Sequence, residues 1–598
     1  MPPPPSLRPR RATRLETAQD HWQRLEVETP ENVVLDYELG GFGSRLLAAL
    51  IDAAIVAVSL LAGFLLLAWL GGSGTWSQVV GSILGFVAVW GYYALFEGFY
   101  RGQTPGKKWL GLRVLRDSGQ PIGFAEAALR NLVRVADFLP PPFLLGLGLI
   151  AFHPRAKRLG DLVAGTVVVR DRPQEGGLAR PAPAAPAAEP AARIGAEGPR
   201  LSAEEYRVLT AFLERAAGFD QAVRERFAGR LIERFADRIP AGAGGAQALL
   251  DLYAEETARR SQPGGGGPGR GPADRFVRSK EGRWAEFQQL AEAAAAGGLD
   301  RFPPDRLVDF TTRYREVAAD YARARTYGVA PGTVRALERA VAAGHNALYR
   351  EKSASWQRLW RFLTTDCPAA VVEARLAVGL AFLTFAVPAL MGFALLRERP
   401  DVAGQVLPPT MLDRADAGAQ RQAEGKGYFE ADPGDRPLVA TSIILNNVRV
   451  AFACFASGVF AGVGSLVLLA VNGLSIGAAS GHFANKGLLG YLWTFVIGHG
   501  LLELFAIWVA GAAGFQLGFA LLNPGRFRRR DALARAGQRA IRMVGAATLL
   551  LIIAGLVEGL VSASGLSLVP KAAISVGSAL FLVGYLALGA GARAPPAA

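Results

Sequence analysis

The stretch from Leu488 to Leu522 limits what this chain can fold into more than any other. Between Lys486 and Arg526 the only residues that charge near neutral pH are His499 and Glu503. A run this apolar belongs in a bilayer, and it exceeds the roughly 20 residues that one membrane helix needs. Gly498, Gly500, Gly511, Gly514 and Gly518 permit bends and close helix packing. The expectation is two short helices forming a hairpin inside the membrane. A broken helix at that depth needs protein or a watery cavity around its freed backbone. An ionisable pair in such a place is costly, and therefore a candidate functional site.

Composition agrees. Hydrophobic residues make up 51% of 598, and the net charge is +14. Apolar runs alternate with Arg-rich ones, as in a membrane protein whose basic loops stay cytoplasmic. Nucleic-acid binding is not expected, because the basic runs flank apolar spans rather than sharing one soluble face. Cys454 lies in an apolar run, so Cys367 and Cys454 do not make a disulfide framework. The Pro- and Arg-rich N-terminus does not read as a cleavable signal peptide.

In chain order, residues 1–30 read as a disordered basic tail and 31–171 as a first membrane module. That module opens with a short strand, Val33 to Tyr37, and has spans at Leu46–Leu70 and Val79–Phe99. Ala125 to Phe152 is apolar, broken by Pro140, Pro141 and Pro142, and basic on both flanks, so it reads as a same-side broken hairpin. Leu112–Leu115 alternates as a strand, and Thr166–Val169 is a second β-like run able to pair with it. Residues 172–200 form an Ala/Pro linker and 201–240 a helical pair. In that pair Val223, Phe227, Leu231 and Phe235 make one apolar stripe. Residues 241–272 are a Gly-rich linker and 273–375 a helical bundle, in which His345 reads as a core histidine. Residues 376–592 form a second membrane module, with spans at Leu376–Leu396, Val448–Val471, Val544–Val561 and Ala572–Leu588 around the central hairpin. The fold class expected is an all-α polytopic membrane protein with broken or re-entrant hairpins and a small β element.

Several motifs in order carry a resemblance. GFGSRLLAALID, QTPGKKWLGLRVL, LRNLVRVADFLP and RLGDLVAGTVVV, within residues 31–171, resemble the RDD family of bacterial membrane proteins. That family is named for one Arg and two Asp. Arg45 and Asp52 match two of these, and the third maps to Asp161, with Asp137 as the weaker choice. The resemblance implies a role in transport. Residues 273–590 are similar to the stage II sporulation protein M family, through LYREKSASW preceded by His345, ILNNVRVAF, VNGLSIG and HGLLELFAIWVAGAAGFQLG. That resemblance implies a membrane protein that places peptidoglycan-degrading partners. Two membrane modules on one chain point to a single complex.

The polar residues have their own chemistry. Arg45 and Asp52 lie seven apart, about 10 Å along a helix, so each needs a partner from elsewhere. The candidates are Glu97, Arg130, Arg134, Asp137 and Asp161. A carboxylate at Asp161 is expected to pair with Arg45 or with Arg130 and Arg134. His499 and Glu503 share one helix face. They are two ligands only, and HGLLE is not the zinc-protease order, so no metal is expected. Glu503 is expected to be protonated or hydrogen-bonded. Asn446, Asn447 and Asn472 are expected to satisfy backbone at helix breaks, and Glu558 is a further carboxylate available to face the hairpin. No nucleotide motif, Ser/His/Asp set or catalytic carboxylate pair stands outside the membrane segments, so neither an enzyme nor a cofactor is expected. The expected partners are the lipid bilayer and other membrane or envelope proteins, with a homo-oligomer left open. The expected role is a scaffold or recruiter of envelope partners in a bacterial inner membrane. The alternative is a transporter or ion-coupled permease built on buried charges in broken helices.

Overall fold

The computed structural model describes residues 24–28, 34–69, 74–137, 149–150, 153, 155–170, 200–216, 221–239, 245–260, 272–297, 299, 302–348, 356–562 and 568–592. Among these, eight helices are long and apolar enough to cross a membrane. They are α1 (Phe42–Trp69), α2 (Thr75–Phe99), α3 (Arg375–Glu398), α4 (Arg436–Val459), α5 (Val463–Asn485), α6 (Gly500–Leu522), α7 (Arg529–Ser562) and α8 (Val569–Gly591). All eight belong to one compact unit, and the described residues between 200 and 348 form a second. The fold is all-α and polytopic, with a small β element, as expected.

The β element has two antiparallel pairs. β3 (Leu112–Arg116) runs antiparallel to β4 (Thr166–Arg170), with Val114 opposite Val168. β2 (Val34–Glu38) pairs with β1 (Arg24–Glu28). β1 corrects the expectation of a wholly disordered tail through residue 30. The segment RLEVE alternates, and Leu25 and Val27 bury against Leu115 and Val167. The proline-broken centre of Ala125–Phe152 lies outside the described residues. Its entrance is a helix, Phe124–Leu132, that buries Ala127, Leu129 and Arg130 on one side.

The second module departs from expectation in two places. The expected span Val448–Val471 is instead the end of α4, the start of α5 and the turn between them, where Ala461 and Gly462 take positive φ of 52° and 83°. The central run is not two short helices. It is one short helix, Leu489–Val496, a break around Ile497–His499, and then the unbroken α6. At 23 residues α6 is about 34 Å long, enough to cross a bilayer. Beyond Gly500 no proline interrupts it, and its small residues face neighbouring helices rather than ending the helix.

Small residues set the packing. Gly473, Gly477 and Gly481 of α5 face the backbone carbonyls of Phe385, Ala389 and Phe393 on α3, one turn apart. A Cβ on Gly481 would stand 2.5 Å from the Phe393 oxygen. In lipid, where apolar burial drives little association, such close backbone approach holds helices together. The two membrane modules also pack on each other. Trp90 of α2 meets Phe452 of α4 with ring centroids 5.4 Å apart. Thr75 donates to Asp435 at 2.7 Å. On α7, Gly537 lies so close to Val163 that a Cβ would be 2.6 Å from its carbonyl oxygen.

The polar segment between α3 and α4 is folded. It contains the helix Pro409–Ala423, and its Tyr428 packs with Phe483, Leu488 and Leu492. Tyr491 donates to the Gly427 carbonyl at 2.7 Å.

The second unit is helical. Ala203–Ala216 and Gln221–Arg234 form the expected pair, and Leu231 and Phe235 pack inward. Phe227 of the expected stripe is nearly half exposed instead, and the Val223 side chain lies outside the described part. Residues 241–272 are not all linker: Gly245–Arg260 is a helix whose Leu249 and Leu252 join the same core. Its ALLDLYAEET stretch is made of good helix formers with apolar residues three apart. Helices Pro272–Gly297, Pro304–Thr326 and Pro331–Leu348 form a three-helix bundle. His345 is buried there, with Nδ1 3.4 Å from the Tyr314 hydroxyl, and Trp284 donates to Asp320 at 3.0 Å.

Candidate functional site

The first polar centre is built around the QTPGKKW segment. Thr104 caps the short helix Pro105–Trp109 by accepting from the Lys107 N–H, and Pro105 occupies the first turn, where its missing N–H costs nothing. The Thr104 hydroxyl also donates to Asp52 at 2.6 Å. The Gly106 N–H donates to Asp52 at 2.8 Å, and the Tyr92 hydroxyl at 3.0 Å. Gly106 is needed for this approach, since a Cβ would lie 2.5 Å from the Ala48 carbonyl oxygen. Asp52 therefore corrects an expectation. No cation pairs with it among the described residues; it is fully buried and held by three neutral donors.

Arg45 takes a different course. Its guanidinium donates to the carbonyls of Gly40, Ala156 and Val168, tying α1 to β4, and lies 3.6 Å from Asp161. Asp161 is also 3.1 Å from Arg130, accepts from the Arg158 N–H, and receives the Thr166 hydroxyl. Burial alone pushes the Asp161 carboxyl up, but the guanidiniums of Arg130, Arg158 and Arg45 outweigh it and hold the group far below the usual carboxylate range. Arg130 continues to Glu97 at 3.2 Å, where Asn131 also donates and Lys107 closes an ion pair. Burial pushes the Lys107 ammonium down to about 8, although Glu97 opposes the shift. The expected pairing of Asp161 with Arg45 and Arg130 is what the structure shows. Arg134 lies over the Tyr93 ring instead, 3.8 Å from its centre. Asp137 ends the helix Arg134–Asp137, and its side chain lies outside the described part. Sequence reasoning missed Thr104 and Lys107, although both sit in a motif it singled out.

The second polar centre lies where the central run breaks. His499 immediately precedes α6 and is 3% exposed. Its Nδ1 is 3.1 Å from the Ser562 hydroxyl. Its Nε2 faces Glu503 Oε2 at 3.9 Å and Glu558 Oε2 at 3.6 Å. Glu558 comes from the π-helical end of α7, Glu558–Ser562, so the ligand count of two read from the sequence becomes three. Asn447 of α4 donates to Glu503 at 2.8 Å. Glu503 is thus hydrogen-bonded, though not by groups near Asn472.

The asparagines do not serve helix breaks. Asn472 donates to Leu468 within continuous α5, and Asn446 donates to Asn447 on an exposed face of α4. Their helices run unbroken at these positions, so no backbone is freed.

Fold and sites together define a multi-pass helical membrane protein with two modules, each holding a buried polar centre. The family models agree. The RDD family matches residues 39–165, Stage II sporulation protein M matches 381–563, and a domain of unknown function, DUF8413, matches 274–350. The first membrane module thus matches the RDD family and the second the Stage II sporulation protein M family, as the motifs led one to expect. It is 33% identical over 132 residues to an uncharacterized protein of Haemophilus influenzae, covering 21% of this chain and 75% of that one. It is 33% identical over 145 residues to the uncharacterized protein YckC of Bacillus subtilis, covering 23% of this chain and 89% of that one. No solved structure matches the chain significantly.

Proposed function

We propose that this protein is a non-enzymatic scaffold in the inner membrane of a bacterium, holding envelope-associated, peptidoglycan-active partners. The observation that carries this reading is the closed first polar centre. Asp52, Glu97 and Asp161 are each fully buried and satisfied by groups of the same module, which leaves them no free valence for a passing substrate. Buried networks of this kind lock helices together. The folded cap between α3 and α4 and the helical unit of residues 200–348 offer protein surfaces on which partners can sit. A second reading, an ion- or proton-coupled transporter, is favoured by the His499, Glu503 and Glu558 cluster inside apolar helices.

The test pairs two measurements. The full chain is purified from native membranes with and without its 397–437 cap, and reconstituted in liposomes for ion and proton flux. The scaffold reading expects peptidoglycan-active proteins to co-purify only when the cap is present, with no flux. Flux that Glu503→Gln abolishes would replace it with the transport reading.

A further inference from the structure

We propose that His499, Glu503 and Glu558 form a binding site for one divalent transition-metal ion of the zinc, manganese or iron(II) class. The site does not depend on the scaffold reading.

Geometry comes first. One ligand atom from each of the three residues lies within 4.8 Å of the other two. The His499 contacts of 3.6 and 3.9 Å are too long for hydrogen bonds. Nitrogen and oxygen ligands about 2.0–2.2 Å from a tetrahedral ion stand roughly 3.3–3.6 Å apart. A modest inward turn of two flexible glutamates closes that difference. Nε2 of His499, a residue only 3% exposed, hydrogen-bonds to neither glutamate and so faces the space an ion would take.

Local structure explains how the three converge. His499 precedes the first residue of α6, and Glu503 follows one turn later on the same face. The π-helical turn at the end of α7 presents Glu558 and Ser562 to the two nitrogens of one ring, Glu558 to Nε2 and Ser562 to Nδ1. Such π turns interrupt α-helices most often at functional positions.

The surrounding contacts suit a ligand set. With Nδ1–H donating to the Ser562 hydroxyl, Nε2 is left as a lone pair for a metal, the usual arrangement for a ligating histidine. Asn447 holds Glu503 Oε1 and leaves Oε2 turned toward the histidine. Lys571, the nearby cation, donates to the Ser562 carbonyl at 3.2 Å and pairs with neither glutamate among the described residues.

Charge and donor type select the ion. Two glutamates bring up to two negative charges into apolar helices, and one divalent cation cancels them where the bilayer supplies no solvent. The imidazole nitrogen favours a transition metal over calcium or magnesium, which take oxygen ligands. The Glu503 and Glu558 side chains are 22% and 14% exposed, which leaves an approach for the ion and an open coordination position.

The experiment uses the full chain, purified in detergent, stripped with chelator and titrated with Co2+ as a visible-absorbing probe. The expected result is one Co2+ per chain with ligand-field absorption, displaced by Zn2+. Glu503→Gln with Glu558→Gln keeps shape and removes the anionic ligands, and should weaken Co2+ binding at least 100-fold. Ser562→Ala, which touches no ligand atom directly, should weaken it about tenfold. His482→Gln, at a histidine elsewhere in the second module, should leave it unchanged. Wild-type protein that elutes as a single folded species yet takes up no Co2+ overturns the proposal. So does a double glutamine variant that binds Co2+ as tightly as wild type, or a site that takes Ca2+ or Mg2+ in preference to Zn2+. Should the double variant fail to fold, the wild-type titration and Ser562→Ala decide the matter.

Discussion

Replacing Asp52 by alanine should be among the most damaging single changes in the first module. The carboxyl oxygens receive the Thr104 hydroxyl, the Gly106 N–H and the Tyr92 hydroxyl, all in a fully buried place. Alanine leaves three donors without an acceptor, and each such buried donor costs about 1–3 kcal/mol. Tyr92 can turn its hydroxyl elsewhere, but the Gly106 N–H is fixed in the backbone and Thr104 is held by its cap. The expected loss is therefore about 4 kcal/mol. Asparagine keeps one oxygen for Gly106 and Tyr92 and offends only Thr104, so it should cost about 1–2 kcal/mol. Tyr92→Phe removes one donor and keeps the other two satisfied, for about 1 kcal/mol. The assay is thermal unfolding of the detergent-purified chain, alongside the yield of monodisperse protein. The order should be alanine, then asparagine, then the Tyr92 variant. An Asp52→Ala protein that melts within about 2 °C of wild type would show that the network carries no stability. An asparagine variant that folds normally but loses ion flux would show instead that Asp52 serves transport.

Asp161 should govern acid stability. Its carboxyl is held below its ordinary value of 3.8 when folded, so the unfolded chain binds the proton more readily. The stabilisation is complete above about pH 5 and is lost as the pH falls through and below 4, and Asp161→Asn should flatten that acid slope in pH-dependent melting. Gly477→Val should separate α3 from α5, because its side chain would overlap the Ala389 carbonyl oxygen, at a cost of about 1–3 kcal/mol or more. Loss of protease resistance in this module would register it, and an unchanged digestion pattern would count against the packing. Introduced cysteines should react from outside in the 397–437 cap and remain protected near Arg528, with basic loops inside. Labelling near Arg528 in intact cells would reverse the assignment.

What the sequence revealed depended on how far apart the interacting residues lie. Alternation in LRVLR and the β-branched run TVVVR were enough to foresee β3 and β4, because a strand's pattern is local. Hydropathy found α1, α2, α3, α7 and α8, but merged α4 and α5 into one span and read α6 as half of a hairpin. A single window over Val448–Val471 covers parts of two helices, and the turn between them contains no proline or charge to mark it. The helix Gly245–Arg260 was hidden by glycines on both flanks. Asp161 and its arginines were foreseeable, since a buried carboxylate in a basic module must find a cation. Asp52 was not, because its partners are a hydroxyl, a phenol and a backbone N–H, which carry no charge signal. Glu558 was foreseen as a carboxylate available to face the hairpin but not as a partner of His499, because it lies 55 residues beyond Glu503 and is delivered by a π turn that no periodicity announces.

The contact between the modules gives the fusion a physical meaning. Had the two halves been tethered only by residues 172–375, their membrane parts would be free to drift apart. Instead α2 packs on α4 through Trp90 and Phe452, and α7 meets the Leu159–Ala164 helix at Gly537. That short helix carries Asp161 on the Arg130 network, while α7 ends at Glu558 and Ser562 beside His499. One helix therefore touches the support of the first polar centre near its start and supplies two residues of the second at its end. A ligand or partner that shifts α7 along its axis would disturb both centres at once. Two chains brought together in a bilayer must first find each other; this chain has built that encounter into its packing.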